Sequence, residues 1–106
     1  MVYVISDCCG HVKIGVAKNP INRLKALQTG MPTKLVILAC ADWPNSYERR
    51  IHRVLHASRL QGEWFSAGTP TDSLAKHMQA GLPIDDWLRS LAPTPSRLAR
   101  ILRLAG

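Results

Sequence analysis

Long hydrophobic runs are missing from this chain. The longest, Leu35 to Ala41, falls far short of the ~18 apolar residues that a membrane-spanning helix needs, and it suits a buried strand. Cysteine is scarce: three residues, two of them adjacent (Cys8 and Cys9), an odd number that makes no disulfide framework. A reducing cytoplasm is therefore the expected compartment, with no membrane partner. Cys8, Cys9 and His11 lack four-ligand spacing, and Cys40 has no CxxC companion, which argues against structural zinc. The N-terminus has neither a basic n-region nor a small-residue cleavage site, so it does not read as a signal peptide. No internal repeat or low-complexity stretch is present. Acidic residues are few as well: seven Asp and Glu against fourteen Lys and Arg, a formal charge of +7. Such an excess draws a protein toward polyanions. The 46% apolar content excludes disorder, and 106 residues make about one domain.

What is there begins with a hairpin. Val2 to Ile5 is β-branched and aromatic, Asp7 to Gly10 forms a tight connection, and His11 to Val16 is a second β run. The linker is too short for a parallel crossover, so the pair is antiparallel. Asn19-Pro20 is a helix-start signal. The helix is expected to reach Gln28, with Ile21, Leu24 and Leu27 on its apolar side and Gly30 and Pro32 ending it. Lys34 to Ala41 predicts a third strand, central and covered on both faces because it is almost uniformly apolar. Ser46 is the expected cap of a second helix with Tyr47, Ile51, Val54 and Leu55 inward. Leu60 to Phe65 closes this unit. Short helices are expected over 72–80, 83–91 and 95–104.

Several of these positions suit phosphoryl chemistry. Tyr3 and Lys13 stand on neighbouring strands. Arg23 lies about 40° around its helix from Leu27 at ~100° per residue, where its guanidinium fork suits a phosphate. Glu48 and His52, four residues apart, share one helical face, and Arg59 returns to that stripe if the helix persists. A phenol, a guanidinium, a carboxylate and a histidine match the needs of phosphodiester cleavage. Mg²⁺ is normally held by one or two carboxylates and waters, and it neutralises charge growing on the scissile group. The phenol, with an ordinary pKa near ~10, would act as a base only if neighbouring cations drew off its proton.

In their order, Val2-Tyr3-Val4-Ile5, Val12-Lys13-Ile14-Gly15, Asn19-Pro20 with Arg23, Gln28-Thr29-Gly30, Glu48 with His52, and Gly62-Glu63-Trp64-Phe65 resemble the phage-type branch of the GIY-YIG nuclease superfamily. The resemblance spans residues 1 to about 68. It implies an α+β fold with a three-stranded antiparallel sheet flanked by helices, here followed by a helical C-terminal extension over 69–106. It further implies a bacterial or phage-encoded, metal-dependent endonuclease that hydrolyses DNA phosphodiester bonds with a single Mg²⁺ or Mn²⁺. By that resemblance Tyr3 is the tyrosine of the first motif, Arg23 the phosphate-binding arginine and Glu48 the metal-binding glutamate. Lys13 replaces the second motif's tyrosine, where it would lower the Tyr3 pKa or contact phosphate. His52 falls at a position often histidine, serving either proton transfer or helix packing.

Plainer readings stand beside these. Glu63 is expected to pair with a basic residue, and Trp64 and Phe65 to close the core under the sheet. Lys18, Arg23, Arg59, Arg97 and Arg100 are the expected contacts to DNA, or to RNA. Arg97, Arg100 and Arg103 line one face of the tail, opposite Leu98, Ile101 and Leu102, and the default for such a face is solvation. Two alternatives to the endonuclease follow: a catalytically degenerate nucleic-acid-binding module, and an interaction protein whose C-terminal helices dock a partner or a second copy.

Overall fold

The computed structural model describes residues 1–91. Arg97, Arg100 and Arg103, the apolar stripe beside them and the helix expected over 95–104 lie outside the described residues. Five antiparallel strands form one sheet: β1 (Val2–Ser6), β2 (His11–Val16), β3 (Val36–Ala41), β4 (Arg59–Gln61) and β5 (Trp64–Ser66), in the order β3-β1-β2-β5-β4. Four α-helices are described: α1 (Pro20–Gln28), α2 (Tyr47–Val54), α3 (Thr69–Gln79) and α4 (Ile84–Leu91), with a short 3₁₀ turn at His56–Ser58. The fold is α+β as expected, but the sheet has five strands rather than three. The segment around Gly62 is a hairpin that extends the sheet along β2, because Gly62 takes φ +57° and turns Arg59–Gln61 back onto Trp64–Ser66.

Alternation along β1 divides the core in two. Val2 and Val4 face one side, with Ile14, Phe65, Ile51 and Leu55. Tyr3 and Ile5 face the other, with Leu35 and the half-buried Leu24, Leu27 and Trp64. Thus α1 covers one face while α2, α3 and α4 cover the opposite one. Leu74, Met78, Ile84 and Trp87 belong to the same core as Val2 and Val4, so this core runs across the division expected at residue 68.

Three local expectations need correction. β3 lies at the sheet edge, paired only with β1, although helices cover both its faces. Apolar content records coverage by helices and is silent about lateral position. The carbonyl of Leu38, at the β1–β3 irregularity, accepts a 2.7 Å hydrogen bond from Gln79 Nε2, which occupies part of that open edge. Ser46 stands at the N-cap of α2 but makes no capping bond with its side chain; Asn19 does cap α1, accepting from Asn22 N–H at 3.1 Å. Ile21 and Val54 are exposed, because each short helix buries only the narrow stripe that meets the sheet.

Asp7 organises the first hairpin loop. Its Oδ1 accepts from the Cys9 and His11 amides at 2.8 and 3.0 Å, and its Oδ2 lies 2.7 Å from His11 Nδ1. Burial alone would raise this carboxyl, but the Cys9 amide and His11 outweigh it and hold the pKa below 3.8. A depressed folded-state pKa means stabilisation that is present above the unfolded value and lost as pH falls through the folded one. Thermal melts should therefore show wild type above Asp7→Asn at neutral pH, with the gap closing as pH falls below 3.8. A gap that is constant down to pH ~2 would refute the assignment.

Candidate active site

The site forms where β2 loses its neighbour. β5 pairs with His11, Val12 and Lys13. One further bond, from Ile14 N–H to Glu63 O at 3.0 Å, ends the contact as the chain enters the Gly62 turn. The flank of β2 at Gly15 is left open on that side. α2 meets this flank at its edge, where His52 lies 2.8 Å from the Ile14 carbonyl.

Tyr3 pairs with Gly15 across the β1–β2 ladder and is buried. The absent side chain of Gly15 makes room for it: a Cβ there would stand 2.6 Å from the phenol oxygen, 2.8 Å from Tyr3 Cζ and 2.8 Å from Glu63 Oε2. The phenol and the Glu63 carboxylate therefore converge on one point above β2. Glu63 Oε2 also takes a 2.7 Å ion pair from Lys13 Nζ, which lies 5.9 Å from the centroid of the Trp64 ring. Glu48 enters from α2 near the Glu63 carboxylate, close enough for each to act on the other's pKa. Beside it His52 Nε2 is 2.8 Å from the Ile14 carbonyl and 3.7 Å from Glu48 Oε1. A carbonyl only accepts, so His52 carries its proton on Nε2. The ring packs edge-on to Phe65 at 5.0 Å, and so ties α2 to the edge of β2.

Protonation states follow from this crowding. Burial, then Glu63, pushes the Tyr3 pKa up to about 12; Arg23 opposes the rise and Glu48 adds to it. Burial and then the Glu63 carboxylate also raise Glu48. Burial acts on Glu63 in the same sense, but Lys13 outweighs it and holds Glu63 below the ordinary carboxylate value. At neutral pH the phenol is a hydrogen-bond donor, so of the two alternatives expected of Lys13, lowering the Tyr3 pKa is not the one that prevails. The ammonium is engaged by Glu63, and carboxylates outweigh cations around Tyr3.

The structure thus brings together Tyr3, Lys13, Glu48 and His52, with Arg23 on α1 near enough to act on the phenol. Glu63 joins them as a site residue that sequence reasoning treated as structural. Its signal was available: Gly62 demands a turn, and a turn residue between two strands projects at the sheet edge rather than into a core. Arg59 does not continue the Glu48 stripe, because α2 ends at Val54; it begins β4, with Nε donating to Gly62 O at 2.8 Å. It nevertheless lines a cleft of about 600 Å³ beside α2, together with Glu48 and His52. Lys18 is exposed between β2 and α1.

Glu48 and Glu63 offer a hard, all-oxygen pair of donors. Among the described residues no group of three or more His, Cys, Asp or Glu forms a metal cage. The pair still fits Mg²⁺ or Mn²⁺, since Mg²⁺ takes one or two carboxylates and keeps several waters. Gly15→Ala tests the packing that creates the site. Glu63 can swing away from a new Cβ, but the buried Tyr3 ring cannot, and overpacking of this kind costs about 1–3 kcal/mol. Urea denaturation should show a loss in that range, and a change under about 0.5 kcal/mol would mean that the ring has room to spare.

In comparison with known proteins, a family model described as "T5orf172 domain" matches residues 1–79. No curated protein and no solved structure matches the chain.

Proposed function

The chain belongs to the T5orf172 domain family, and from that premise we propose that it is a metal-dependent endonuclease of GIY-YIG type acting on nucleic acid, with DNA as its substrate. The convergence of Tyr3, Glu48 and Glu63 at the open flank of β2 carries this reading. Glu48 and Glu63 would hold a Mg²⁺ or Mn²⁺ ion, which would supply neutralisation of the charge developing on the scissile phosphate and its leaving oxygen. Lys13 fixes the Glu63 carboxylate and keeps it ionised. Arg23, whose charge reaches the phenol, clamps the phosphate. The Tyr3 hydroxyl, protonated at neutral pH, positions the attacking water by donating a hydrogen bond. His52 acts through Glu48, holding α2 in register with β2.

The Lys13–Glu63 ion pair favours a second reading. An ammonium already neutralising one of two carboxylates weakens the attraction for a metal, as in a module that binds nucleic acid without cutting it. The same assay separates the two: plasmid and oligonucleotide substrates with Mg²⁺ or Mn²⁺, wild type beside Glu48→Gln. Cleavage lost in the variant supports the nuclease. Steeply salt-dependent binding with no cleavage under either metal supports the module.

None of the described helices is long and apolar enough to cross a membrane.

A further inference from the structure

We propose that the cleft beside α2 is the track for the nucleic-acid strand, with Arg49, Arg53 and Arg59 gripping the phosphodiester backbone that flanks the bond presented to Glu48. This inference rests on the nucleic-acid reading above and extends it to residues outside the reacting cluster.

The cleft, about 600 Å³, is lined along α2 by Glu48, Arg49, His52 and Arg53, then by His56 in the 3₁₀ turn and Arg59 at the start of β4. Arg49 and Arg53 are four residues apart, so they stand one above the other on a single helical stripe, with Cβ atoms about 5–6 Å apart. Both are exposed, and among the described residues neither joins an ion pair. Arg50 shows the contrast. It lies 5.4 Å over the Tyr47 ring and lines a different groove, with Asp85 and Arg89. The helix thus sorts its cations, sending Arg49 and Arg53 into the cleft and Arg50 away from it. Among the described residues that line the cleft, Glu48 is the one carboxylate, and it stands with the site. Among the described residues no Phe, Tyr or Trp lines the cleft, so its guanidinium groups dominate and its main chemistry is recognition of phosphate.

The test is equilibrium binding in EDTA, followed by fluorescence anisotropy over about 50–200 mM salt. Labelled duplex DNA, single-stranded DNA and single-stranded RNA serve as separate probes. Arg49→Ala/Arg53→Ala is compared with the charge-matched control Lys25→Ala/Arg50→Ala, all four side chains being exposed. Each lost phosphate contact lowers the slope of log K against log salt by about 0.9 for duplex DNA. The cleft variant should therefore lose nearly two from the slope and bind on the order of 50-fold more weakly at ~0.1 M salt. The control should keep the wild-type slope. The loss is expected with every probe, and the tightest binder at matched salt identifies the nucleic acid. Equal losses in both variants, or a wild-type slope in the cleft variant, overturn the proposal. A wild type that never cuts but whose slope collapses in the cleft variant defeats the nuclease and leaves the track standing. A wild type that cuts while the cleft variant binds normally does the reverse.

Discussion

Replacing Glu48 by glutamine is expected to lower metal-dependent cleavage by about 10³-fold or more while leaving the fold intact. A bound cation contributes several kcal/mol of charge stabilisation to such a transition state, and each ~1.4 kcal/mol is a factor of ten in rate. Glutamine cannot supply an anionic oxygen to the cation. It does preserve the size and shape of Glu48 and removes a charge that burial and the Glu63 carboxylate already oppose. Melting temperature should consequently stay within about 4 °C of wild type, since an isosteric change worth ~0.5 kcal/mol shifts a domain of this size by about 2–4 °C. Undiminished cleavage in the purified variant would remove Glu48 from the site.

The largest effect on stability is expected at Trp87. It is fully buried in the core that contains Val2, Val4 and Ile51. Truncation to alanine should cost about 3–5 kcal/mol, a large part of the ~5–15 kcal/mol typical of a domain. Its indole Nε1–H finds no acceptor among the described residues, and an orphaned buried donor costs about 1–3 kcal/mol. Trp87→Phe removes that donor while keeping most of the ring, so its loss should be much smaller than that of Trp87→Ala. Chemical denaturation of the two variants gives the ordering directly. If Trp87→Ala unfolds within about 1 kcal/mol of wild type, α4 is not part of the core. The residue lies beyond the family match, which ends at 79, so this measurement also locates the end of the cooperative unit.

Much of this was legible in the sequence, for identifiable reasons. The β1–β2 hairpin follows from alternation and a linker too short for anything else. α1 was bounded by Asn19-Pro20 and by Gly30, and Asn19 caps it as anticipated. Position within the sheet was not legible. β3 looked central because both its faces are covered, and single-chain hydrophobicity cannot separate coverage from lateral pairing. Nor was the fourth and fifth strand pair, since three-residue strands carry too little pattern to register. The ion pair of Glu63 with a basic residue was anticipated and is made with Lys13, fifty positions away; its place beside Glu48 was not, because it depends on how α2 packs against the sheet. The strand that carries Tyr3 was legible, but the direction of its acidity was not, and lowering by Lys13 was only one of two alternatives. The cations were visible as letters in the chain, whereas the burial that dominates the phenol emerges only from tertiary packing.

The Gly62 turn makes the carboxylate pair a property of the whole sheet. Glu63 sits in that turn, so where its carboxyl falls is fixed by how Arg59–Gln61 and Trp64–Ser66 register against each other and alongside Lys13. Tyr3, Arg23 and Glu48 all precede that hairpin in the chain. A shift of its ladder would leave those three in position while parting Glu63 from Lys13, so the second carboxylate depends on a pairing that the motif residues do not contain.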